Sequence, residues 1–304
     1  MEIFHSFEEA RTSEYTAITV GKFDGLHLGH KKLESIIVTS GYKPVLVTFD
    51  RSPLLLMSPE TGPYAIVTED ERYLVLEDDG IDTVLELPFD RSIMSLSPTA
   101  FIERLVQDLN MKLFACGTDF RFGYKNAGDI ELLGRLADRY GFELVVIDKI
   151  KNDSRDISSS RIRTELKAGN IAKVNQLLGY NYFVYSEVVH GRALGHRLGF
   201  PTINQIPEED KLLPKFGVYA TRVIIDDRAC TGVTNVGIKP TVTDDRSAGV
   251  ETYIIDLDED LYGRTIKIEF IEFIRPEMKF SDTEELKKQI ISDKKRAIEL
   301  LKEI

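Results

Sequence analysis

Apolar and polar residues alternate in two different ways along the chain, and the change falls near residue 180. In the first half, short apolar runs are separated by segments with apolar residues at helical spacing. The runs predict strands over 15–20, 45–49, 83–87, 112–116 and 143–147. The segments between them predict helices over 31–39, 69–79, 97–110 and 128–140. This alternation predicts an α/β domain with a parallel sheet, in which ligands bind beyond the carboxyl ends of the strands.

The second half is rich in β-branched runs that are split by Gly, Pro, Asp and Asn. These runs predict strands over 183–189, 218–225, 229–236, 252–257 and 265–273. Segment 165–178 predicts a helical connector, and only the tail, 283–302, is clearly helical. Short strands with turn signals favour a small antiparallel β-barrel, or a sandwich, with a terminal helix. We therefore expect two domains, 1–180 and 181–304, which suits a length of 304 residues.

Charge and composition limit the classes of molecule that we expect the protein to bind. A formal net charge of −11 argues against a nucleic-acid or anionic-membrane surface. The sequence has no apolar run of about 18 residues, as a membrane-spanning helix would need, and its acidic start lacks a signal-peptide pattern. Cys116 and Cys230 lie far apart in apolar surroundings, as reduced cysteines of a cytoplasmic protein would. We expect small-molecule partners and a monomer or weak oligomer.

The string Gly21-Lys-Phe-Asp-Gly-Leu-His-Leu-Gly-His30 joins the first predicted strand to the first helix. Gly21 and Gly25 let the backbone turn tightly and approach a ligand. His27 and His30 are three residues apart, so they share one face at a helix start, where free amides and the helix dipole favour an anion. The string predicts a phosphate site, although two such histidines also occur as surface residues or as a stray metal site.

Two further strings in the first half carry polar groups. Gly117-Thr-Asp-Phe-Arg-Phe-Gly123 follows a predicted strand, and its phenylalanines are also consistent with core packing. Ile157-Ser-Ser-Ser-Arg-Ile-Arg163 supplies hydroxyl and guanidinium groups before a helix. Such groups bind phosphate, although serines in this position are commonly only helix caps.

A glycine-rich string, Val189-His-Gly-Arg-Ala-Leu-Gly-His-Arg-Leu-Gly-Phe-Pro-Thr-Ile-Asn204, opens the second half. Gly191, Gly195 and Gly199 predict a flexible loop. Thr202 and Asn204 share one face if the segment is extended, and their oxygens suit a hard cation beside phosphates. The alternative is an ordinary glycine-rich hairpin. The sequence has no Gly-x-x-x-x-Gly-Lys-Ser/Thr string, so a nucleotide would not be held by a P-loop.

These strings resemble two sets of family motifs. Those of the first half resemble the HxGH-type nucleotidylyltransferase motifs of bacterial FAD synthetases. The order Leu-Gly-Phe-Pro-Thr-x-Asn resembles riboflavin kinase, as do Asn235-Val-Gly-Ile-Lys-Pro-Thr241, Glu251-Thr252 and Ile274-Arg-Pro-Glu-Met-Lys-Phe280. The chain is thus similar to bifunctional bacterial riboflavin kinase/FAD synthetases over roughly residues 15–165 and 183–295. The resemblance implies that ATP and Mg²⁺ convert riboflavin to FMN, and that ATP adenylylates FMN to FAD.

The resemblance also implies roles for residues. His27 and His30 would stabilise adenylyl transfer, Glu251 would be the general base of the kinase, and Thr202 and Asn204 would hold Mg²⁺. ATP and phosphate contacts would come from Gly21, Phe23, Asp24, Gly25, Ser159, Ser160, Arg161, Gly191, Gly195 and Gly199. Flavin contacts would come from Asp119, Phe120, Asn126 and Arg275.

Three positions depart from the family pattern. Asp50-Arg-Ser-Pro53 replaces the usual Asp-Pro-His-Pro, Tyr253 follows Thr252 where His is usual, and Lys239 replaces a common Arg. We expect Arg51 to act as a substitute phosphate contact, because guanidinium stays charged. The first departure leaves open a chain with one working activity, and a flavin-binding regulator is the alternative outside the enzymes. We expect residues from about 180 to 304 alone to phosphorylate riboflavin.

Overall fold

A computed structural model describes residues 1–50, 64–191, 199–226, 228–240 and 246–302. The described residues divide into two units. The first contains residues 1–50 and 72–158, and the second contains residues 64–71 and 159–302. The expected division of the two activities at residue 180 stays a prediction.

A six-stranded parallel sheet organises the first unit. Its strands are β1 (Glu2–Phe4), β2 (Thr16–Val20), β3 (Lys43–Phe49), β4 (Thr83–Leu87), β5 (Met111–Gly117) and β6 (Glu143–Ile147), in the order β1-β4-β3-β2-β5-β6. The five predicted strands are present. β1 was not predicted, because three residues beside a polar stretch carry no periodic signal; it forms by pairing with β4.

The helices of the first half lie close to their predicted positions. They are α1 (Leu28–Val38), α2 (Glu69–Asp78), a short α3 (Arg91–Met94), α4 (Pro98–Asp108) and α5 (Ile130–Tyr140). Helix α4 begins where its sequence indicates, since Ser97 Oγ accepts a 3.2 Å hydrogen bond from the Ala100 amide and Pro98 occupies the first turn. A short hairpin of β7 (Lys151–Asn152) and β8 (Arg155–Asp156) ends the unit.

The strand order reverses direction between β2 and β5. From β2 the chain proceeds through β3 and β4 on one side, and β5 and β6 then lie on the other. In such sheets, ligands bind in the crevice beyond the carboxyl ends of the two strands that flank the reversal. The strings that begin at Gly21 and Gly117 leave the sheet at this edge.

A closed antiparallel barrel organises the second unit, and the sandwich alternative is excluded. Its strands are β9 (Phe183–Val189), β10 (Thr202–Gln205), β11 (Gly217–Ile225), β12 (Arg228–Pro240), β13 (Arg246–Ile254) and β14 (Thr265–Arg275), in the order β10-β13-β12-β11-β14-β9. Helix α8 (Thr283–Lys302) packs on β11, β12 and β14. The predicted connector is two helices, α6 (Ser159–Ala168) and α7 (Ile171–Leu178), because Gly169 turns the chain at φ +84°.

Residues 64–71 are built into the second unit through a buried ion pair. Ala65 forms a bridge to Lys211, and the Lys211 ammonium binds the Glu71 carboxylate and the carbonyls of Ile66 (2.8 Å) and Phe183 (3.0 Å). Glu71 also accepts from the Thr68 amide at 2.9 Å, while its own amide donates to Thr68 Oγ1 at 3.3 Å. This reciprocal capping box starts α2.

Among the residues that the structure describes, no helix is both long and apolar enough to cross a bilayer.

Candidate active sites

The two histidines of the first unit form a stacked pair at the start of α1. Their rings lie 3.7 Å apart between centroids and 11° from parallel. His27 caps the helix, and its Nδ1 accepts a 3.4 Å hydrogen bond from the His30 amide. A neutral ring that accepts at Nδ1 carries its proton on Nε2. The cap therefore leaves His27 with a donor for a ligand.

Burial keeps both imidazoles neutral. The pKa of His27 is lowered from 6.5 to about 4 because the ring is removed from water. The pKa of His30 is also well below its usual value, because of burial and of the neighbouring His27. Nδ1 of His30 is buried and has no hydrogen-bond partner among the described residues. An anion that enters here meets neutral donors rather than fixed cations.

The turn that carries the histidines is strained. Phe23 and Leu26 are buried at φ +47° and +38°, and Gly25 adopts φ +85°. Left-handed conformations of residues other than Gly cost free energy and are common at ligand sites. The Phe23 ring packs edge-on against His30 with centroids 5.1 Å apart, so the strained residue supports the imidazole.

The loop after β5 holds the expected flavin contacts. Asp119 is exposed, with its carboxylate 2.9 Å from Lys149 Nζ. Phe120 stacks on Phe122 at 5.3 Å, so the packing alternative explains at least part of this string. Asn126 lies in a 3₁₀ turn (Tyr124–Asn126) at φ +57°. β5 adjoins β2 in the sheet, so this loop and the histidine turn follow neighbouring strands.

The serine-rich string begins α6, which belongs to the second unit. Ser160 is exposed and Arg161 is half-buried. Arg163 is buried, with its guanidinium 3.4 Å from the centre of the Tyr64 ring and its Nε donating to the Tyr64 carbonyl at 2.9 Å. Of the two arginines in the string, Arg163 therefore serves packing.

A row of polar side chains crosses three strands of the barrel. Asn204 on β10 pairs with Glu251 on β13, and Glu251 pairs with Asn235 on β12. Directly opposed residues on neighbouring strands project from the same face of a sheet. Thr202 is two residues from Asn204, so it joins the same face. Its Oγ1 donates a 2.8 Å hydrogen bond to Glu251 Oε1.

The glycine-rich string approaches this row closely. A Cβ atom on Gly191 would lie 2.2 Å from Asn204 Nδ2, so only glycine fits there without movement of the amide. Gly199 adopts φ +85°. Gly195 lies outside the described residues, as do Arg51 and Ser52.

Two cavities meet at Thr202. The first, of about 290 Å³, lies between β10 and the turn before β14 and is lined by Val188, Pro201, Thr202, Ile203, Ile254, Leu257, Asp258, Glu259, Asp260, Leu261 and Tyr262. The second, of about 240 Å³, lies between the barrel wall and α8. It is lined by Phe200, Thr202, Val218, Val233, Asn235, Glu251, Tyr253, Arg275, Glu277, Met278, Phe280, Leu286, Ile290 and Asp293. Thr202 therefore faces both spaces, while Glu251 faces the more apolar one.

Sequence reasoning did not select Asn235 or Asp293 as site residues. Asn235 stood in a string that resembles riboflavin kinase, and its pairing with Glu251 appears only once the register of β12 and β13 is known. Asp293 reads as one acid in a charged helix, yet it is 2% exposed. The sequence around Asp293 therefore gives little indication that this acid is buried beside a cavity.

Two family models match separate parts of this chain. A family model described as FAD synthetase matches residues 9–161, and one described as riboflavin kinase matches residues 178–301.

Curated relatives match along nearly the whole chain. A bifunctional riboflavin kinase/FMN adenylyltransferase of Escherichia coli (strain K12) is 36% identical over 97% of this chain and 95% of its own length. A protein with the same description from Listeria monocytogenes is 33% identical over 96% of this chain and 96% of its own length. Another, from Bacillus subtilis (strain 168), is 32% identical over 97% of this chain and 94% of its own length.

A solved structure shares the fold. A crystal structure described as a macrolide-efflux protein from Streptococcus pneumoniae superposes with a TM-score of 0.85 and 26% identity, and the match covers 97% of each chain.

Proposed function

Because the chain belongs to the family of bifunctional riboflavin kinase/FMN adenylyltransferases, we propose that its two chemical steps are divided between the barrel face and the histidine turn. The chain phosphorylates riboflavin with ATP to give FMN, and it adenylylates FMN with ATP to give FAD and pyrophosphate. The assignment of each step to residues rests on the geometry described above.

The kinase step is assigned to Glu251. Riboflavin would occupy the apolar cavity beside α8, and ATP the cavity beyond Thr202. Glu251 would accept the proton of the ribityl 5′-hydroxyl as that oxygen attacks the γ-phosphorus, while the bond from that phosphorus to ADP breaks. The observation that carries this assignment is that Thr202 lines both cavities and hydrogen-bonds to Glu251.

The residues near Glu251 fit a magnesium ion. The Thr202 hydroxyl donates a hydrogen bond to Glu251, so the lone pairs of its oxygen stay available to a cation. Asn204 adds an amide oxygen from the same strand face. Mg²⁺ in nucleotide sites is held by a few protein oxygens together with phosphates and water. When bound, it would neutralise phosphate charge, and Thr202 and Asn204 would hold it.

Adenylyl transfer is assigned to the histidine turn. A phosphate oxygen of FMN would attack the α-phosphorus of ATP, and the bond to the departing pyrophosphate would break. His27, through Nε2, and His30 would donate hydrogen bonds to the charge that builds on the phosphates. Gly21, Phe23, Asp24 and Gly25 would shape the turn around the triphosphate.

Other assignments remain proposals of the same kind. Ser159, Ser160 and Arg161 would contact phosphate, with Gly191 and Gly199 near the ATP of the kinase. Asp119, Phe120 and Asn126 would contact FMN, and Arg275 would contact riboflavin. We also propose a cytoplasmic protein that acts as a monomer or weak oligomer.

One assay tests both activities. The purified protein is incubated with Mg²⁺, ATP and either riboflavin or FMN, and the flavins are separated by chromatography. We expect riboflavin to yield FMN and then FAD, and FMN to yield FAD. If riboflavin yields FMN but no FAD, the protein has only the kinase activity. If flavin binds but no product forms, the protein is a flavin-binding regulator.

A further inference from the structure

A buried ion pair joins the end of the barrel to the terminal helix. Arg275 is the last residue of β14, and its Nε and one terminal nitrogen donate to the Asp293 carboxylate over 2.8–3.1 Å. Gln289, one helical turn before Asp293, donates to the same carboxylate at 2.8 Å. The Asp293 side chain is 3% exposed and that of Arg275 is 16% exposed.

This pair belongs to the wall of the apolar cavity that contains Glu251. Both residues line that cavity, and Arg275 is the one cationic side chain among its described lining residues. The other charged groups there are acids, so Arg275 is the strongest hydrogen-bond donor that the cavity offers to a carbonyl.

The contacts with Asp293 restrict the orientation of the Arg275 guanidinium. A carboxylate that binds a guanidinium in a bidentate way fixes the plane of the group as well as its position. The other terminal nitrogen of Arg275 donates to the Pro276 carbonyl at 3.0 Å. Within the described residues these contacts use one N–H of each terminal nitrogen, so each retains one N–H for a ligand.

We propose that Asp293 is a positioning residue for riboflavin, which it serves by holding Arg275 so that the guanidinium donates to the carbonyl edge of the isoalloxazine ring. The ring is a flat apolar body with two carbonyls at one edge, and the cavity presents aromatic and aliphatic side chains beside this single fixed cation. Asp293 itself does not touch the reacting atoms. This inference rests on the proposed assignment of the cavity to riboflavin.

Loss of the carboxylate should weaken flavin binding selectively. In Asp293→Asn, Arg275 keeps its charge but loses its bidentate partner and its fixed plane. We expect the Kd of riboflavin to rise about tenfold, the effect of losing one good hydrogen bond, while the KM for ATP and kcat change little. Lumiflavin, which has the ring without the ribityl chain, should lose affinity by the same factor.

A double-mutant cycle tests whether Asp293 acts through Arg275. Full-length Asp293→Asn, Arg275→Gln and the double variant are titrated with riboflavin and lumiflavin by flavin fluorescence. If Asp293 acts through Arg275, the double variant binds no more weakly than Arg275→Gln alone. Glu284→Gln removes an exposed acid from the same helix and should bind like the parent protein.

The outcomes separate this inference from the proposed function. A parent protein that makes no FMN overturns the proposed function. An active parent whose Asp293→Asn variant binds both flavins normally overturns the role of Asp293 alone. Equal loss of flavin affinity, ATP affinity and kcat, together with a lower melting temperature, would show that the pair only holds α8 on the barrel, and this would also overturn the role.

Discussion

Thr202 Oγ1 lies 2.8 Å from Glu251 Oε1, and this hydrogen bond ties a residue shared by two cavities to the carboxylate that we assign as the base of the kinase. The bond links β10 to β13 where the two strands are paired. The carboxylate also lines the cavity assigned to riboflavin.

Replacement of Glu251 by Gln should reduce FMN formation from riboflavin by about 100-fold or more, the scale of losing a general base. The amide keeps the size of the side chain and can still accept from Thr202, but it cannot take the hydroxyl proton. FAD formation from supplied FMN should stay near the parent rate.

The matched control is Glu187→Gln, an exposed acid on β9 of the same barrel. Initial rates for both steps are measured on all three proteins. A Glu251→Gln enzyme with normal turnover of riboflavin would exclude Glu251 as the base.

His27→Ala and His30→Ala should each lower the rate of FAD formation by about 100-fold or more, since removal of one preorganised donor costs ~3 kcal/mol of transition-state stabilisation. Riboflavin phosphorylation should persist, because the kinase residues lie on the barrel. His5→Ala, at an exposed position, is the control. Parallel loss of both activities would instead indicate a folding defect or one shared site.

His27 should lower the free energy of unfolding as the pH falls from 6.5 toward 4, against an opposite contribution from Glu34, because burial raises the pKa of that carboxyl to about 9. Burial lowers the pKa of His27 from 6.5 to about 4, so in this range the unfolded chain binds a proton that the folded protein does not. His27 alone should account for ~3 kcal/mol, because one pKa unit corresponds to ~1.4 kcal/mol. His30 acts in the same direction.

Urea unfolding at several pH values measures this dependence. The slope of the free energy of unfolding against pH, between pH 4 and 6.5, should be less positive in His27→Gln than in the parent protein, and His5→Gln should leave it unchanged. Identical slopes in the parent and in His27→Gln would show that His27 is not buried in its neutral form.

Lys211→Met should destabilise the second unit by about 3–5 kcal/mol, because the Glu71 carboxylate would remain buried without its counter-charge. Both side chains are 1% exposed. The loss is measured by urea unfolding of the second unit. Lys167→Met, which removes an exposed lysine, is the control. The double variant with Glu71→Gln should recover part of the stability, and no recovery would contradict the pairing.

The same pair bears on the expected kinase fragment of residues 180–304. Such a fragment lacks Glu71 and both α6 and α7, which belong to the second unit. We now expect it to unfold at lower urea concentration than the barrel within the full chain, whether or not it retains turnover.

Sequence patterns predicted the elements in which the spacing of apolar residues is regular over many positions. The parallel sheet, the barrel and the terminal helix are confirmed. β1 and β10 were missed because they have three and four residues, and each depends on pairing with a distant strand. The sequence predicts one helix before the barrel, whereas the structure has two. Gly169 turns the backbone between them without interrupting the helical spacing of the apolar residues.

The candidate sites were predictable to the extent that their residues lie within short strings. His27 with His30, and Thr202 with Asn204, are close in sequence, and the structure shows each pair on one face. Asn235 and Asp293 reach Glu251 and Arg275 only through strand register and helix packing, which no local pattern encodes. The roles of all these residues stay predictions until the variants are assayed.

The position of residues 64–71 in the second unit has a consequence for synthesis on the ribosome. Glu71 is made 140 residues before its partner Lys211. At about 5–20 residues per second, the interval is roughly 7–28 s. During that interval the strands that bury the early segment have not yet been made, while β4, β5 and β6 are made and can complete the sheet. The apolar residues 64–67 of the nascent chain therefore lack the partners that bury them until most of the chain has been made.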